Sequence, residues 1–553
     1  MTRKLKKFDF WVVASIVVLA LYILFMLYPM LKVLIQSFVD SETGKFSLMH
    51  FQKFFSQPYY FGTLLNSFKV AIASAFFALL IGIPLAYFYN VYRIRGAKTL
   101  QMLIILSSMS APFLGAYSWI LLLGRSGVIT KFIESVFGLT IPSIYGFTGI
   151  VLVLVSKLYP LVFLYVSGAI KNIDSSLLEA SANMGRTGLK RFFTVVIPLC
   201  MPSILAAALM VFMRALADFG TPMMIGEGYM TFPVIIYTSY VGEMGTDHNF
   251  ASAVSIIAVV ITLIVFLVQS YATKKTTFSM SAMHHIERKE AKLLPSILMH
   301  IYSYGVVAIS IFPQLYLIYL SFRKTSSNGN AFKPGYSLDS YKYVFENMGS
   351  SIWNTIRICG GALILIIVLA ILISYLVVRR NNVINKVIDT LSMIPYIIPG
   401  AVIGIALILA FNNPKFPLVG TAWILIISMC IRRIPYTIRS SVAILGQIPM
   451  SIDEASESLG AGKLKTLIKV TIPMMLNGIF SGAVMSWVTL ITELSSSLLL
   501  YTFRTMTLNI AVYVMVAKGS DGRACAMATI LTLFTVITLL IFNKFSKDGE
   551  IMM

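Results

Sequence analysis

Four ionisable side chains in this sequence stand where water is scarce. Asp218 and Glu493 lie in apolar runs, separated by 275 residues, and Lys157 and Arg432 lie in two further apolar runs at the same separation. A charged group at the centre of a bilayer costs about 2.5–3.5 kcal/mol on insertion scales, so it normally faces a cavity or a partner. Carboxylate oxygens suit hard cations such as Fe³⁺, and two related carboxylates could receive a cation or an amine. The basic pair, with Arg433 and Arg439 close by, could line a path for an anion. A plainer reading stays open for each. Asp218 could pair with Arg214 one turn earlier, and Glu493 could cap a helix end facing water. Lys157 and Arg432 could snorkel to the cytoplasmic face, with Pro160 and Pro435 marking span ends nearby.

Other chemistry is not encoded. No nucleophile–base arrangement and no metal-ligand cluster stands out in the apolar runs. Cys200, Cys359, Cys430 and Cys525 are scattered without metal spacing or a disulfide framework. The His284–His285 pair has no further ligands beside it. No Gly-x4-Gly-Lys-[Ser/Thr] phosphate loop is present. The nearest approach, Leu459-Gly-Ala-Gly-Lys-Leu, lacks the first glycine at the right spacing and the hydroxyl after lysine. The chain is therefore expected to be no enzyme, and to bind neither ATP nor any other cofactor itself.

The elements that must position these residues are membrane helices. The 553 residues are 58% hydrophobic and 12% charged, with a mean hydropathy of +0.84. A soluble domain could not cover that much apolar surface, and runs of about 20 apolar residues are long enough to cross a bilayer. The pattern predicts an all-α polytopic membrane protein with about 12 spans. They fall near 11–38, 61–91, 99–123, 146–170, 196–218 and 249–272, then 293–322, 349–378, 386–411, 420–446, 474–500 and 523–544. The first run, Trp11 to Met30, is too long for a signal-peptide core.

The net charge of +22 fits basic cytoplasmic loops that fix orientation better than it fits nucleic acid. With a cytoplasmic start, the outer loop 219–248 has no Lys or Arg and carries Glu227, Glu243 and Asp247; the outer loop 323–348 is the exception, with Arg323, Lys324, Lys333 and Lys342. Both termini are then cytoplasmic. Residues 273–292 form the one long polar linker, which divides the chain into 1–272 and 293–553.

The two parts repeat each other. Asn66-Ser67 corresponds to Asn354-Thr355, Pro112 to Pro399 and Pro160 to Pro435. Ser176, Glu179, Ala180, Ser181, Gly185, Ile197 and Pro198 recur as Ser451, Glu454, Ala455, Ser456, Gly460, Ile472 and Pro473. The first half carries extra residues that fit around Gly124–Thr140. Six spans per half give the halves the same orientation, unlike inverted repeats.

The densest matches lie in the loops 171–198 and 446–473. Each contains a Ser-x-x-Glu pattern, Ser176/Glu179 and Ser451/Glu454, which predicts a capping box starting a short helix. Gly185 and Gly460 should end that helix in the left-handed conformation. A second, basic helix should follow, leading into spans that start at Pro198 and Pro473. Small residues at Ala180-Ser181 and Ala455-Ser456 would let each helix dock closely in a groove. Two copies ask for two docking partners or one dimeric one.

These loops resemble the Glu-Ala-Ala-x3-Gly-x9-Ile-x-Leu-Pro segment of binding-protein-dependent importer permeases, with Ser for the second Ala and Val for the first Ile in both copies. The resemblance spans essentially the whole chain. It implies the type I ATP-binding-cassette importer permease fold in a fused form of two parallel six-helix repeats. It also implies that the loops are coupling helices seated in two copies of a cytoplasmic ATP-binding subunit, which bind the ATP and Mg²⁺. An extracytoplasmic substrate-binding protein would be the other partner, and the bacterial cytoplasmic (inner) membrane the location, with no nucleic acid involved. Leu-Ala-Asp-Phe-Gly-Thr-Pro (216–222), Cys-Ile-Arg-Arg-Ile-Pro-Tyr-Thr-Ile-Arg-Ser-Ser (430–441) and Ile-Thr-Glu-Leu-Ser-Ser-Ser-Leu-Leu-Leu (491–500) resemble ferric-iron importer permeases. Thiamine and aminoalkylphosphonate importers have fused or related permeases too. On that reading Lys157 and Arg432 would meet a phosphonate, or a ferric ion carrying an anion. A transporter driven by an ion gradient, using Asp218 and Glu493 as proton or cation sites, is the reading from a different class. It has no need of the doubled loop.

Overall fold

The computed structural model describes residues 10–41, 43–108, 112–242, 247–276, 286–380 and 382–545. They are helical almost throughout. In hydrocarbon no water satisfies the backbone, so each segment must satisfy its own amides. Among the described residues, nine helices are long and apolar enough to cross a membrane: Phe10–Ser37, Pro58–Val91, Phe147–Lys171, Gly188–Leu216, His248–Tyr271, Leu293–Ser321, Asp339–Arg379, Lys463–Ile491 and Asp521–Ile541. Two bent helix pairs raise the number to eleven. Helix Ala422–Gln447 stands where the tenth span is expected, and carries Arg432, Arg433 and Arg439.

The chain folds into two compact units, and neither is a sequence half. One comprises Lys53–Ile235 and Val260–Leu320; the other comprises Met1–Gln52, Ile236–Val259 and Ser321–Met553. The first helix of each half thus belongs to the unit made mostly from the opposite half. In the first unit Tyr302, from Leu293–Ser321, donates its hydroxyl to Ile81 O at 2.9 Å, and Tyr304 donates to Arg95 O at 2.7 Å. In the second, Trp11 packs against Tyr375 with tilted rings whose centroids are 4.5 Å apart, and the Phe25 ring centroid lies 5.6 Å from that of Phe411.

Within each unit three helices repeat one arrangement. Pro58–Val91 packs along Phe147–Lys171 with Gly188–Leu216 against both; Asp339–Arg379 packs along Ala422–Gln447 with Ile472–Ile491 against both. The contact face of Pro58–Val91 is small: Ala71, Ser74, Ala75, Ala78 and Gly82 are buried. Small residues let helix backbones approach where lipid removes the hydrophobic drive for association. Pro160 and Pro435 sit inside their helices rather than ending them, so Lys157 and Arg432 lie near mid-helix. The snorkelling reading loses its basis.

Among the described residues three π turns interrupt the helices, at Ile23–Leu27, Phe192–Val196 and Leu467–Thr471. Each is followed two residues on by a proline: Pro29, Pro198 and Pro473. A proline ring crowds the carbonyl four residues back and has no N–H to offer it, and widening the turn to i→i+5 relieves the crowding. The expected boundary moves accordingly. The basic stretches Gly188–Arg191 and Lys463–Thr466 are not separate helices but the first turns of the spans that Pro198 and Pro473 were expected to open.

Two expected loops are also structured. The segment 219–248 contains helices Gly220–Ile225 and Phe232–Val241, with Ile225, Phe232 and Val234 buried, so it is not a solvent loop. Its counterpart contains Leu508–Ala517. In the segment 323–348, strands Arg323–Thr325 and Phe332–Tyr336 form a hairpin. The extra first-half residues include helix Val128–Phe137. Glu243 and the His284–His285 pair lie outside the described residues. The described end of the linker is tied down: Lys289 exchanges backbone hydrogen bonds with Val91 and Arg93, at 2.9 and 3.0 Å.

Candidate functional site

The matched loops form the short helices Ser175–Asn183 and Met450–Ser458. Their starts differ from expectation. Asp174 is the N-cap of the first, its carboxylate accepting the Ser176 N–H at 3.0 Å. Pro449 occupies that position in the second, with no side-chain cap. Ser176 and Ser451 therefore sit inside the helices, and neither Ser-x-x-Glu pattern acts as a capping box. The ends match expectation. Gly185 and Gly460 have φ of 75° and 87°, in the region where a Cβ is disfavoured. The next residue closes the helix in both copies, Arg186 N–H to Ser181 O at 3.0 Å and Ala461 N–H to Ser456 O at 3.1 Å.

These stops set a common outward face. Ser176, Glu179 and Ala180 are exposed, as are Ser451, Glu454 and Ala455. Ser181 turns inward, and Ser456 is half-buried with its hydroxyl 3.0 Å from that of Thr466. Large apolar residues flank each glycine in the open: Met184 is 74% exposed and its match Leu459 is 89% exposed, with Leu189 and Leu464 exposed beyond. The sequence reading passed over all four because, in so apolar a chain, a lone Met or Leu carries no signal without its exposure.

The tenth span holds the second group. Arg432 Nη1 donates to Glu493 Oε1 and to the Ser495 hydroxyl, the latter at 2.9 Å, and Arg433 Nη2 donates to Glu493 Oε2. The Ser495 hydroxyl also donates to Glu493 Oε1 at 2.9 Å, and the Ser496 N–H donates to it at 3.2 Å. The Glu493 side chain is 1% exposed, so it is not a carboxylate capping a helix end in water. Two guanidiniums against one carboxylate leave the cluster with one net positive charge.

A broken span makes room for this cluster. Val383–Ile397 and Gly400–Phe411 meet at a bend of 112° around Pro399. A Cβ on Gly400 would collide with the Ser495 hydroxyl and the Arg432 guanidinium, so any larger residue would force both side chains to shift. Its counterpart, near Pro112, adjoins residues 109–111, outside the described set.

Asp218 and Lys157 belong to the first unit. Asp218 follows Gly188–Leu216 and accepts the Thr221 N–H at 2.9 Å, with Lys157 as the cation acting on it. Lys157 also borders a small cavity of mixed lining, with Ser107, Ser118, Ser156, Ser310 and Gln314 beside Trp119, Val153 and Pro313. The four candidate path residues thus form two sets: Lys157 with Asp218, and Arg432 with Glu493. Among the described residues no three His, Cys, Asp or Glu side chains gather as a metal site, and all four cysteines are buried and free.

The Asn-Ser and Asn-Thr pairs acquire a role the sequence did not reveal. Asn66 Nδ2 donates to Met230 O at 3.1 Å and the Ser67 hydroxyl accepts the Phe232 N–H at 2.7 Å. Asn354 Nδ2 donates to Met506 O at 3.1 Å and Thr355 Oγ1 accepts the Leu508 N–H at 2.7 Å. Each pair caps, from a distant span, the short helix that follows the fifth or eleventh span.

The chain is similar in sequence to known proteins. The chain is 28% identical over 557 residues, 99% of its length and 79% of the relative's, to the ferric transport system permease protein FbpB of Actinobacillus pleuropneumoniae. It is 24% identical to PhnU of Salmonella typhi, provisionally named a 2-aminoethylphosphonate transport system permease, over 44% of this chain and 86% of that one. A solved bacterial ABC transporter that imports the acidic polysaccharide alginate overlaps 48% of this chain and 96% of its own, at 17% identity and a TM-score of 0.39. Residues 78–277 and 362–548, one stretch in each sequence half, match the binding-protein-dependent transport system inner membrane component. The chain belongs to that family, the permease subunits of ATP-binding-cassette importers.

Proposed function

We propose that this permease imports ferric iron by alternating access, driven by two copies of a cytoplasmic ATP-binding subunit and loaded by an extracytoplasmic binding protein. The observation that carries the coupling is the matched outward face of the two short helices. Glu179 and Glu454, Ala180 and Ala455, and Met184 and Leu459 are all exposed, each beside a left-handed glycine. Exposed apolar residues rimmed by polar ones mark protein contact surfaces. Small alanines admit a close-fitting groove, and the glutamates offer charge to a basic partner. ATP and Mg²⁺ belong to that partner. Closure of two such subunits would draw the helices together and open the path outward, and the loaded binding protein would favour the outward state by its differential affinity. The sockets then face the cytoplasm, as do both termini.

Support for ferric iron comes from the relative named for ferric transport, which matches over 99% of the chain. The phosphonate reading rests on a match to 44% of it. Glu493 is ion-paired with Arg432 and Arg433, and the positive charge of Lys157 acts on Asp218. The two acids therefore present no bare carboxylate pair, and the path suits a metal travelling with an anion at least as well as a naked ion. Binding of ferric ion, thiamine and 2-aminoethylphosphonate to the cognate soluble receptor decides the substrate. Tight binding of ferric ion alone is expected, and preference for either organic ligand overturns the iron assignment.

A further inference from the structure

The second coupling helix is fastened by a buried ion pair. Arg379 Nε, at the end of Asp339–Arg379, lies 2.7 Å from Asp453 Oδ2, and the side chains are 7% and 9% exposed. Arg379 Nη2 also donates to Ile448 O at 3.0 Å, just before Met450–Ser458. The other Asp453 oxygen accepts the Thr471 hydroxyl at 2.8 Å, from the π turn near the head of Lys463–Ile491. One side chain of the short helix thus holds the tail of the eighth span and the head of the eleventh.

The first copy is built otherwise. At the repeat separations, Asp453, Thr471 and Arg379 correspond to Leu178, Val196 and Val91. All three are buried in one hydrophobic core. Aliphatic contacts are non-directional and keep their energy as surfaces slide. A buried guanidinium–carboxylate pair resists separation, and losing one member strands a charge.

We propose that Arg379, Asp453 and Thr471 form a positioning latch that makes the second coupling helix a stiff lever, while the first, seated on Leu178, is compliant. The two strokes of one ATP cycle then reach the two units unequally. This rests on the coupling reading above. The latch residues touch neither substrate nor nucleotide, so their signature is the ratio of substrate moved to ATP hydrolysed.

The test uses the complete complex in liposomes with loaded binding protein outside, measuring uptake and ATP hydrolysis together. Asp453→Asn keeps the shape and removes the charge. Uptake per ATP should fall about tenfold while hydrolysis stays within about twofold of wild type, as expected of a lost buried ion pair that acts only through position. The triple variant D453L/R379V/T471V installs the aliphatic residues of the first copy with no stranded charge, and should assemble yet leave the ratio at least about threefold below wild type, because the stiffness is still missing. An unchanged ratio in Asp453→Asn, or full recovery of the ratio in an assembled triple variant, overturns the latch. If Asp453→Asn fails to assemble, Thr471→Val takes its place and must lower the ratio; an unchanged ratio there is equally fatal. Met184→Ser with Leu459→Ser tests the underlying reading separately. Retained ATPase binding in that variant would sink the coupling assignment, whatever the latch does.

Discussion

The Ser67 hydroxyl accepts the backbone N–H of Phe232 at 2.7 Å across 165 residues of chain. It is the N-terminal cap of a buried helix, supplied by a different span. A buried amide left without its acceptor costs about 1–3 kcal/mol. Ser67→Ala is expected to release helix Phe232–Val241 locally, and Thr355→Val to do the same for Leu508–Ala517. Faster amide hydrogen exchange at Phe232 in the first variant and at Leu508 in the second, with the rest of each unit still protected, is the measurement. Unchanged exchange at both would remove the caps from the account.

Glu493 balances two guanidiniums in a nearly dry site. Glu493→Ala is expected to cost about 3–5 kcal/mol by stranding both, seen as a lowered unfolding temperature in detergent. Replacing all three with apolar residues, E493L/R432M/R433M, should recover stability and not uptake. Recovery of uptake as well would show that the cluster is structural only.

Gly400 lies against Arg432 and Ser495 with no room for a methyl group. Gly400→Ala should cost about 1–3 kcal/mol by overpacking and push the guanidinium off Glu493. A thermal shift smaller than that of an uncrowded control such as Gly62→Ala, where nothing lies within 4 Å of a new Cβ, would contradict the packing.

Met184→Ser and Leu459→Ser remove exposed apolar side chains that the isolated chain does not need. Yield and unfolding temperature should stay within the range of ordinary surface changes, about ±0.5 kcal/mol. Copurification of the ATP-binding subunit should drop in each single variant and vanish in the double.

Asp174→Ala should loosen helix Ser175–Asn183 by about 1 kcal/mol, the worth of an N-cap. Pro449→Ala should do much less at Met450–Ser458, where no side-chain cap exists to lose. Limited proteolysis of the two loops reports the difference.

These residues show why some of the molecule can be read from the chain and some cannot. Span positions and the repeat are local patterns of apolarity, proline and glycine, and they emerge before any packing is known. Gly185 and Gly460 were legible because a left-handed helix stop admits few other residues. The Ser-x-x-Glu pattern misled in the first copy because a competing acceptor, Asp174, stands two residues ahead of Ser176 and moves the cap by two residues. The Arg432–Glu493 contact joins positions 61 apart in sequence, and no periodicity announces it. Arg379 and Asp453 stand 74 residues apart, and nothing in the chain's local pattern pairs them. The exchange of first helices between units was invisible for a similar reason: hydropathy tells a helix to enter the bilayer and says nothing about its neighbour.

That exchange constrains biogenesis. The unit built around Lys53–Ile235 also contains residues up to Leu320, so it cannot close when the ribosome finishes the first half. It waits, with apolar flanks bare to lipid or to insertion chaperones, until the seventh span arrives. Cutting the gene at the linker would therefore give two polypeptides, each missing a wall that only its sibling carries. They should mature when synthesised together and be degraded when made alone.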